Sequence, residues 1–223
     1  MGIIGLITQK GNPSKLPYIN KDCIYEISPY YWQLIRPSYL FFLNKVIPIA
    51  ANPWEKNQGL LQIAEIGVAG GINAKNMLQA LDFVFLHMIE DCRDLQTPIS
   101  LLENTEPFKD RRRFLQKSSV KAAKDYKDEF FDYVYIDASH DYENTINDIK
   151  VWYPKVKFGG MLAGHDWCLE GVSKAVREFM EGCPQRLFAV QNFLLDDTQP
   201  DAERDLALQG SDWWFTKTNI VHK

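Results

Sequence analysis

The chain has 223 residues, of which 46% are hydrophobic and 24% are charged, a composition typical of one globular domain. Its net charge of −4 argues against a nucleic-acid partner or binding to an anionic membrane surface. No run approaches the ~20 apolar residues of a membrane-spanning helix. The four cysteines form no CxxC pair and no secretory signal is visible, so we expect reduced thiols in a cytoplasmic protein.

Residues 1–58 differ from the rest of the chain and are predicted to form an irregular and helical cap segment. Prolines at positions 13, 17 and 29 indicate an irregular start. The aromatic-rich stretch at residues 30–50 has loosely helical spacing, which predicts one or two helices packed beside the main domain. Capping of the core, a lid and a partner surface are the alternatives, and a homo-oligomer is compatible with this segment.

From residue 59 to residue 223, short apolar strands alternate with helices. Strands are predicted at residues 61–66, 83–89, 113–116, 133–136, 161–163, 187–191 and 213–217. Helices are predicted after the first, third, fourth and fifth strands, whereas residues 94–112 are left without an element. Such repeated units predict an α/β, Rossmann-like, doubly wound sheet of seven mostly parallel strands. The last two strands have only a polar loop between them, so the last strand is predicted to be antiparallel.

Polar side chains follow two neighbouring strands of this predicted sheet. Asp137 and His140 come after the strand at residues 133–136, and His165 and Asp166 come after the strand at residues 161–163. Since the carboxyl ends of parallel strands line one crevice, we expect these four side chains to share a pocket. The alternative is that each is a structural residue, hydrogen-bonded at the end of its strand.

A glycine-rich turn from Gly67 to Gly71 follows the first strand. A dinucleotide fingerprint needs glycine at its first, third and sixth positions, and here Ala69 and Ile72 occupy the third and sixth. A Gly-Lys-Ser/Thr phosphate loop is also missing from the sequence. The turn is instead preceded by an acid, Glu65, two positions before its first glycine.

The acid and glycine turn, on this alternation of elements, resembles the class I S-adenosylmethionine-dependent methyltransferases. The resemblance covers roughly residues 60–217. A second block, from Phe131 to Trp167, is similar to the bacterial small-molecule and sugar O-methyltransferases, such as the macrolide-sugar O-methyltransferases. The resemblance implies that S-adenosylmethionine is the cofactor.

This resemblance also implies the residues that would contact the cofactor. Gly67 and Gly71 would let the backbone pass its methionine and ribose part, with Glu65 fixing the turn. Glu90, or its neighbour Asp91, would accept the ribose hydroxyls. Ser118 and Ser119 would border the adenine, although two serines here are equally typical of a helix N-cap. The expected cofactor-binding set is Glu65, Gly67, Gly71, Glu90, Ser118, Ser119 and Asp137.

Methyl transfer to a hydroxyl requires a base or a Lewis-acidic metal, because a hydroxyl has a high pKa. His140 suits the role of base, since an unperturbed histidine is largely neutral near pH 7. The resemblance implies that Asp137, His165 and Asp166 would hold a divalent ion, and these residues complete the expected catalytic set. Magnesium prefers oxygen ligands, so His165 leaves open magnesium, another divalent cation or none.

The sequence therefore predicts a transferase: an S-adenosylmethionine-dependent O-methyltransferase that acts on a small-molecule or sugar hydroxyl. One alternative is a nicotinamide-dependent oxidoreductase on a similar sheet, against which the missing fingerprint glycines count. Another is a non-catalytic binding module that keeps the methyltransferase fold. The identity of the acceptor, and the choice among O-, N- and C-methylation, stay open at this stage.

Overall fold

The computed structural model describes residues 36–46, 59–80, 83–181, 183–189 and 211–218. Its strands are β1 (Leu61–Ile66), β2 (Val84–Glu90), β3 (Arg112–Gln116), β4 (Phe131–Ile136), β5 (Val156–Gly164), β6 (Phe188–Ala189) and β7 (Trp213–Thr216). In these residues the seven strands form one sheet in the order β3-β2-β1-β4-β5-β7-β6. Strands β1 to β5 pair in parallel, and β7 is antiparallel to both β5 and β6. The predicted fold class is confirmed.

The α-helices in the described residues are α1 (Pro37–Val46), α2 (Ile72–Ala80), α3 (Gln96–Thr105), α4 (Ser119–Ala123), α5 (Tyr142–Trp152) and α6 (Glu170–Met180). Short 3₁₀ helices follow α3 and α5, at Glu106–Arg111 and Tyr153–Lys155. Helix α3 fills part of the stretch for which the sequence predicted no element. The basic residues after it fix the local packing: Arg111 and Arg112 donate to the backbone carbonyls of Leu78 and Thr105 at 2.9 and 3.0 Å.

Both faces of the sheet are buried, as the apolar character of its strands predicts. On β4, Tyr133 and Tyr135 belong to the core cluster that includes residues of α1 and α2. Val134 and Ile136 point to the opposite face and belong to the cluster that includes residues of α4, α5 and α6. This three-layer packing fixes the carboxyl ends of β1, β2, β4 and β5 at one edge of the sheet.

The predicted N-terminal cap segment is described only at residues 36–46, where α1 packs Tyr39 and Phe42 against Tyr133. The rest of residues 1–58 lies outside the described residues, as do the predicted loop at residues 196–210 and the end of the strand predicted at 187–191. Among the described helices, none combines the length and apolar character that crossing a membrane requires.

Candidate active site

A cleft of about 1000 Å³ lies at the carboxyl edge of the sheet. Its walls come from the ends of β1, β2, β3 and β4, where parallel pairing places successive strand ends side by side. The expected site residues that line it are Glu65, Gly67, Glu90, Ser118, Ser119, Asp137 and His140. A much smaller cavity beside it is lined by Asp137, His140, His165 and Asp166.

The glycine turn lies against the end of β4. Gly67 has a φ of +80°, a region that glycine adopts without strain. A Cβ atom at this position would lie 2.1 Å from the backbone oxygen of Asp137, so a glycine is required for the close approach. Gly71 also has a positive φ, of +81°, and a Cβ there would lie 3.1 Å from the Cα atom of Leu101 in α3. The two glycines thus pack the turn between β4 and α3.

Glu90 holds the same turn from the other side. Its Oε2 accepts hydrogen bonds from the backbone N–H groups of Val68 and Ala69 at 2.9 and 3.0 Å. Its Oε1 accepts a third bond from the N–H of Cys92 at 3.2 Å. The carboxylate therefore occupies the N–H groups of the glycine turn, while it also lines the cleft.

Glu65 is a buried acid that borders the cleft and is only 1% exposed. Its Oε1 accepts a hydrogen bond from Asn73 Nδ2 at 2.8 Å, and its Oε2 has no hydrogen-bond partner among the described residues. Burial raises the pKa of Glu65 to about 8, although the bond from Asn73 opposes this shift. The protein thus holds a carboxyl group whose second oxygen would gain a partner from a donor in the cleft.

The two serines lie at the far end of the cleft, where α4 begins. Ser119 Oγ accepts from the indole N–H of Trp152 at 2.8 Å and donates to Asp148 Oδ1. Burial raises the pKa of Asp148 to about 6. Ser118 occupies the N-cap position of α4, but its side chain makes no capping hydrogen bond. Both serines line the cleft, and the helix-cap alternative is not realised by their hydroxyl groups.

The four side chains after β4 and β5 come together as the sequence predicted. His140 Nε2 lies 3.0 Å from Asp166 Oδ2, and His165 Nδ1 lies 3.1 Å from Asp166 Oδ1. The same His165 nitrogen is 3.7 Å from Asp137 Oδ1. The parallel register, which pairs Ile136 with Gly164, places both strand ends at the same level.

Arg36, which the sequence did not point to, completes this cluster. Its Nη1 lies 3.0 Å from His165 Nε2, and its Nη2 lies 3.9 Å from Asp137 Oδ2. Burial raises the pKa of Asp137, while nearby His165 and Arg36 lower it only in part. Burial would also raise the pKa of Asp166, but the hydrogen bond and charge of His165, with His140 and Arg36, bring it below the usual value. The centre therefore contains acids with pKa values shifted in opposite directions.

A divalent ion would find three ligands in this cluster. One ligand atom each from Asp137, His140 and Asp166 lies within 4.8 Å of the others. His165 is adjacent, but its two ring nitrogens already face Arg36 and Asp166. The geometry thus favours His140 over His165 as the nitrogen ligand, and the predicted set of Asp137, His165 and Asp166 stays a prediction.

Among the lining residues that the sequence did not assign to the site, three have polar side chains at or beside its buried groups: Arg36, Asn73 and Asp148. Asn73 lies only eight residues after Glu65, across the glycine turn, so a contact between the two could have been predicted from their spacing. Asp148 lies one or two helical turns into α5, on the face where an apolar residue is expected, and a buried acid there is a usable signal. Arg36 stands before an apolar helix with no motif around it, and we find no local signal for it.

Comparisons with known proteins agree with this architecture. Residues 64–167 match a family model described as a methyltransferase domain. An O-methyltransferase from Bacillus cereus in complex with SAH (S-adenosylhomocysteine) has a TM-score of 0.56 and 19% identity, covering 86% of this chain and 83% of that one. A SAM-dependent O-methyltransferase from Thermotoga maritima has a TM-score of 0.59 and 14% identity, covering 86% and 69%. No curated protein matches the chain significantly.

A methyltransferase from Geobacter sulfurreducens has the same fold, with a TM-score of 0.56 and 11% identity over 82% of this chain and 78% of that one. The match to the family model runs from β1 to the residues just after β5, so it includes both the acid before the glycine turn and the strand-end cluster. The chain therefore contains a match to a methyltransferase domain at residues 64–167 and has the fold of the class I S-adenosylmethionine-dependent methyltransferases.

Proposed function

We propose that the chain is an S-adenosylmethionine-dependent O-methyltransferase that methylates a hydroxyl group of a small molecule or sugar. The observation that carries this proposal is the buried carboxyl group of Glu65, whose Oε2 lacks a partner among the described residues at the edge of the cleft. The methionine part of S-adenosylmethionine carries an ammonium group, which is a charge-assisted donor for such an oxygen. The solved relatives described as O-methyltransferases support the same reaction class.

The charge of the cleft supports a cationic cofactor. Acidic side chains outnumber basic ones among its described lining residues. The basic ones are Arg36, Arg93 and Lys117, and the acidic ones are Glu65, Glu90, Asp91, Asp94, Asp137, Asp141 and Asp148. S-adenosylmethionine carries a net positive charge, because its sulfonium and ammonium groups outweigh its carboxylate. An acidic wall attracts such a molecule and repels a pyrophosphate.

The nicotinamide-dependent alternative is disfavoured by the glycine turn itself. A dinucleotide places its pyrophosphate on the backbone N–H groups of this turn. In this chain the N–H groups of Val68 and Ala69 are bound to Glu90, whose negative charge would face the phosphates. The glycine turn does not argue for or against the non-catalytic alternative. Methylation of an acceptor by the purified protein would exclude it.

In the proposed reaction, His140 is the general base. Its Nε2 is directed to Asp166, so its Nδ1 is the ring nitrogen that would take the proton of the acceptor hydroxyl. The negative charge of Asp166 would stabilise the imidazolium that forms, and His140 is 54% exposed and thus reachable by an acceptor. The cofactor, when bound, supplies a methyl group on sulfonium, whose carbon–sulfur bond breaks as the acceptor oxygen bonds to the carbon.

We propose further that the same cluster can hold a divalent ion. Asp137, His140 and Asp166 would hold it, and the ion would lower the pKa of an acceptor hydroxyl bound beside it. A ligand set of two carboxylates and one imidazole suits manganese, iron or zinc better than magnesium. With His140 Nε2 on the metal, its Nδ1 would carry the ring hydrogen and could not accept a proton, so metal ligand and general base are alternative roles of His140.

The first test is a calorimetric titration of the purified protein with S-adenosylhomocysteine, with and without Mn²⁺ or Mg²⁺, and with NAD as the control ligand. We expect S-adenosylhomocysteine to bind with micromolar affinity and NAD not to bind. Failure of S-adenosylhomocysteine to bind would contradict the proposed cofactor. Binding of NAD would revive the oxidoreductase alternative.

Variants separate the base from the metal once an acceptor is found. His140→Ala should lower kcat by about 100- to 10,000-fold while the affinity for S-adenosylhomocysteine changes by less than about twofold. If a metal is bound, Asp137→Asn should also weaken its binding, whereas Asp132→Asn should not. Asp132 is the matched control, because it lies near the opposite end of β4 and pairs with Lys157 at 2.9 Å. A fully active His140→Ala enzyme would exclude His140 as the base.

A further inference from the structure

Arg36 reaches the strand-end cluster from the residue just before α1. It lies far from the cluster in sequence, yet its guanidinium is 3.0 Å from His165 Nε2 and 3.9 Å from Asp137 Oδ2. Its side chain is only 18% exposed and lines the cleft. The contact is therefore partly buried inside the site and is not a surface ion pair, which would contribute little.

The contact determines which nitrogen of His165 carries the proton. A guanidinium has only donors, so His165 Nε2 must be the acceptor and Nδ1 must carry the hydrogen. That Nδ1–H donates to Asp166 Oδ1 at 3.1 Å, which leaves Oδ2 to accept from His140 Nε2 at 3.0 Å. Burial lowers the pKa of His165, but the bond to Asp166 together with the charges of Asp137 and Asp212 raises it above its usual value. The guanidinium beside Nε2 nevertheless requires the neutral ring, because it has only donors. We assign the neutral ring, since two N–H donors cannot pair.

The backbone holds the Asp166 carboxylate between the two histidines. Asp166 has a φ of +59°, which is uncommon for a residue with a side chain and persists only where neighbours impose it. The N–H groups on either side are fixed: that of His165 donates to Ile136 O at 3.0 Å, and that of Trp167 donates to Ser211 O at 3.0 Å. A change at His165 is thus transmitted to His140 through a carboxylate whose backbone is held in place.

The start of α1, two residues after Arg36, is anchored by the buried carboxylate of Asp212. The N–H and hydroxyl of Ser38 donate to Asp212 Oδ2 at 2.9 and 2.6 Å. Tyr135 donates its hydroxyl to Asp212 Oδ1 at 2.9 Å, and Asp212 is fully buried. The start of α1 is therefore tied to β4 and β7 within two residues of the guanidinium.

We propose that Arg36 is a positioning residue for His140, acting through the hydrogen-bond chain Arg36–His165–Asp166–His140. Arg36 fixes the His165 tautomer, which fixes the Asp166 oxygen that faces His140, so that His140 presents Nδ1 to the acceptor. The catalytic consequence rests on the proposed function, in which His140 is the base. The chain of hydrogen bonds itself is independent of that function.

The test combines histidine ¹⁵N NMR of the full chain at pH 8 with kinetics of Arg36→Met and Arg36→Lys. In the wild-type spectrum we expect His165 protonated at Nδ1 and unprotonated at Nε2. Arg36→Met should convert it to a mixture of tautomers and lower kcat by about 10- to 100-fold, as is typical when an orienting partner is lost. Arg36→Lys should retain more of the Nδ1-protonated tautomer and a higher kcat than Arg36→Met, because an ammonium group is also only a donor.

The acceptor KM and the affinity for S-adenosylhomocysteine should change by less than about twofold in Arg36→Met, since positioning acts on the proton transfer. Lys109→Met is the control for loss of a cation, because Lys109 pairs with Glu106 on the surface outside the cleft, with a side chain 64% exposed. Its spectrum and kcat should match those of the wild type.

A wild-type His165 protonated at Nε2 would overturn the proposal, even if the Arg36 variants fail to fold. An unchanged kcat in a folded Arg36→Met enzyme would overturn it as well. Failure of the wild type to bind S-adenosylhomocysteine would instead overturn the proposed function. The two failures are distinguishable, since the tautomer is measured without cofactor or acceptor.

Discussion

Binding of S-adenosylhomocysteine should release a proton from Glu65. Burial raises the pKa of this acid to about 8, with a further contribution from Asp137, and the hydrogen bond from Asn73 lowers it only in part. With that pKa, about 90% of Glu65 is protonated at pH 7. The ammonium group of the ligand favours the ionised form, so we expect about 0.9 proton to be released per ligand bound at pH 7.

The same linkage sets the pH dependence of the affinity. Below the pKa of about 8, each unit of pH lowers the ionised fraction of Glu65 roughly tenfold. The dissociation constant of S-adenosylhomocysteine should therefore fall about tenfold between pH 6 and pH 7, and level off above pH 8. The ammonium group of the ligand stays charged over this range, so the change of the dissociation constant with pH comes from the protein.

Calorimetry in phosphate and in Tris at pH 7 measures the released proton, because the two buffers have different enthalpies of ionisation. The slope of the binding enthalpy against the ionisation enthalpy of the buffer gives the number of protons released per ligand bound. Glu65→Gln is the control: it is nearly isosteric, keeps an acceptor for Asn73 and has no proton to release from this position. Equal slopes for the wild type and Glu65→Gln, with an affinity independent of pH, would refute the assignment of Glu65 as the partner of the ammonium group.

Three further predictions concern the fold that supports the site. Burial lowers the pKa of His87 from 6.5 to about 4, so about 3 kcal/mol of unfolding free energy should be lost as the pH falls from 6.5 to 4. In urea unfolding, His87→Gln should lack this part of the loss. The same dependence of unfolding free energy on pH in the wild type and the variant would contradict the prediction. Gly67→Ala should cost more than about 2 kcal/mol in the same assay, because the new Cβ meets backbone at 2.1 Å and φ is positive. Gly70→Ala, whose Cβ has its nearest neighbour at 3.9 Å, should cost less than about 0.5 kcal/mol, and equal losses would refute the role given to Gly67. Lys217→Met should cost about 2 kcal/mol, because three backbone carbonyls lose a donor at 2.8 to 3.3 Å. The more exposed Lys157→Met should cost less than about 1 kcal/mol, and thermal unfolding compares the two.

Local sequence patterns were sufficient to predict the sheet and most of the residues at its carboxyl edge. The apolar strands that lead to Glu65, Glu90 and Asp137 can be recognised from the local sequence. Alternation of strands and helices then predicts a parallel sheet, in which the ends of these strands lie side by side. The gathering of His140, His165 and Asp166 followed from the same rule and is seen in the structure. The missing glycines of the turn also argue against a dinucleotide at the level of sequence alone.

The partner of each of these groups depends on contacts between elements that are distant in the chain. The expected contact of Glu90 with ribose hydroxyls stays a prediction, whereas its bonds to the N–H groups of the turn are seen only in the structure. Helix α3 was not predicted, since its apolar residues serve the packing behind Gly71 and form no clear stripe. Arg36 enters the site because Ser38 and Asp212, which are 174 residues apart in the chain, pair in the core and bring the start of α1 to β7. Strand ends are specified by a local pattern and a general topology, whereas the tautomer of a histidine depends on a single long-range contact that no local pattern encodes.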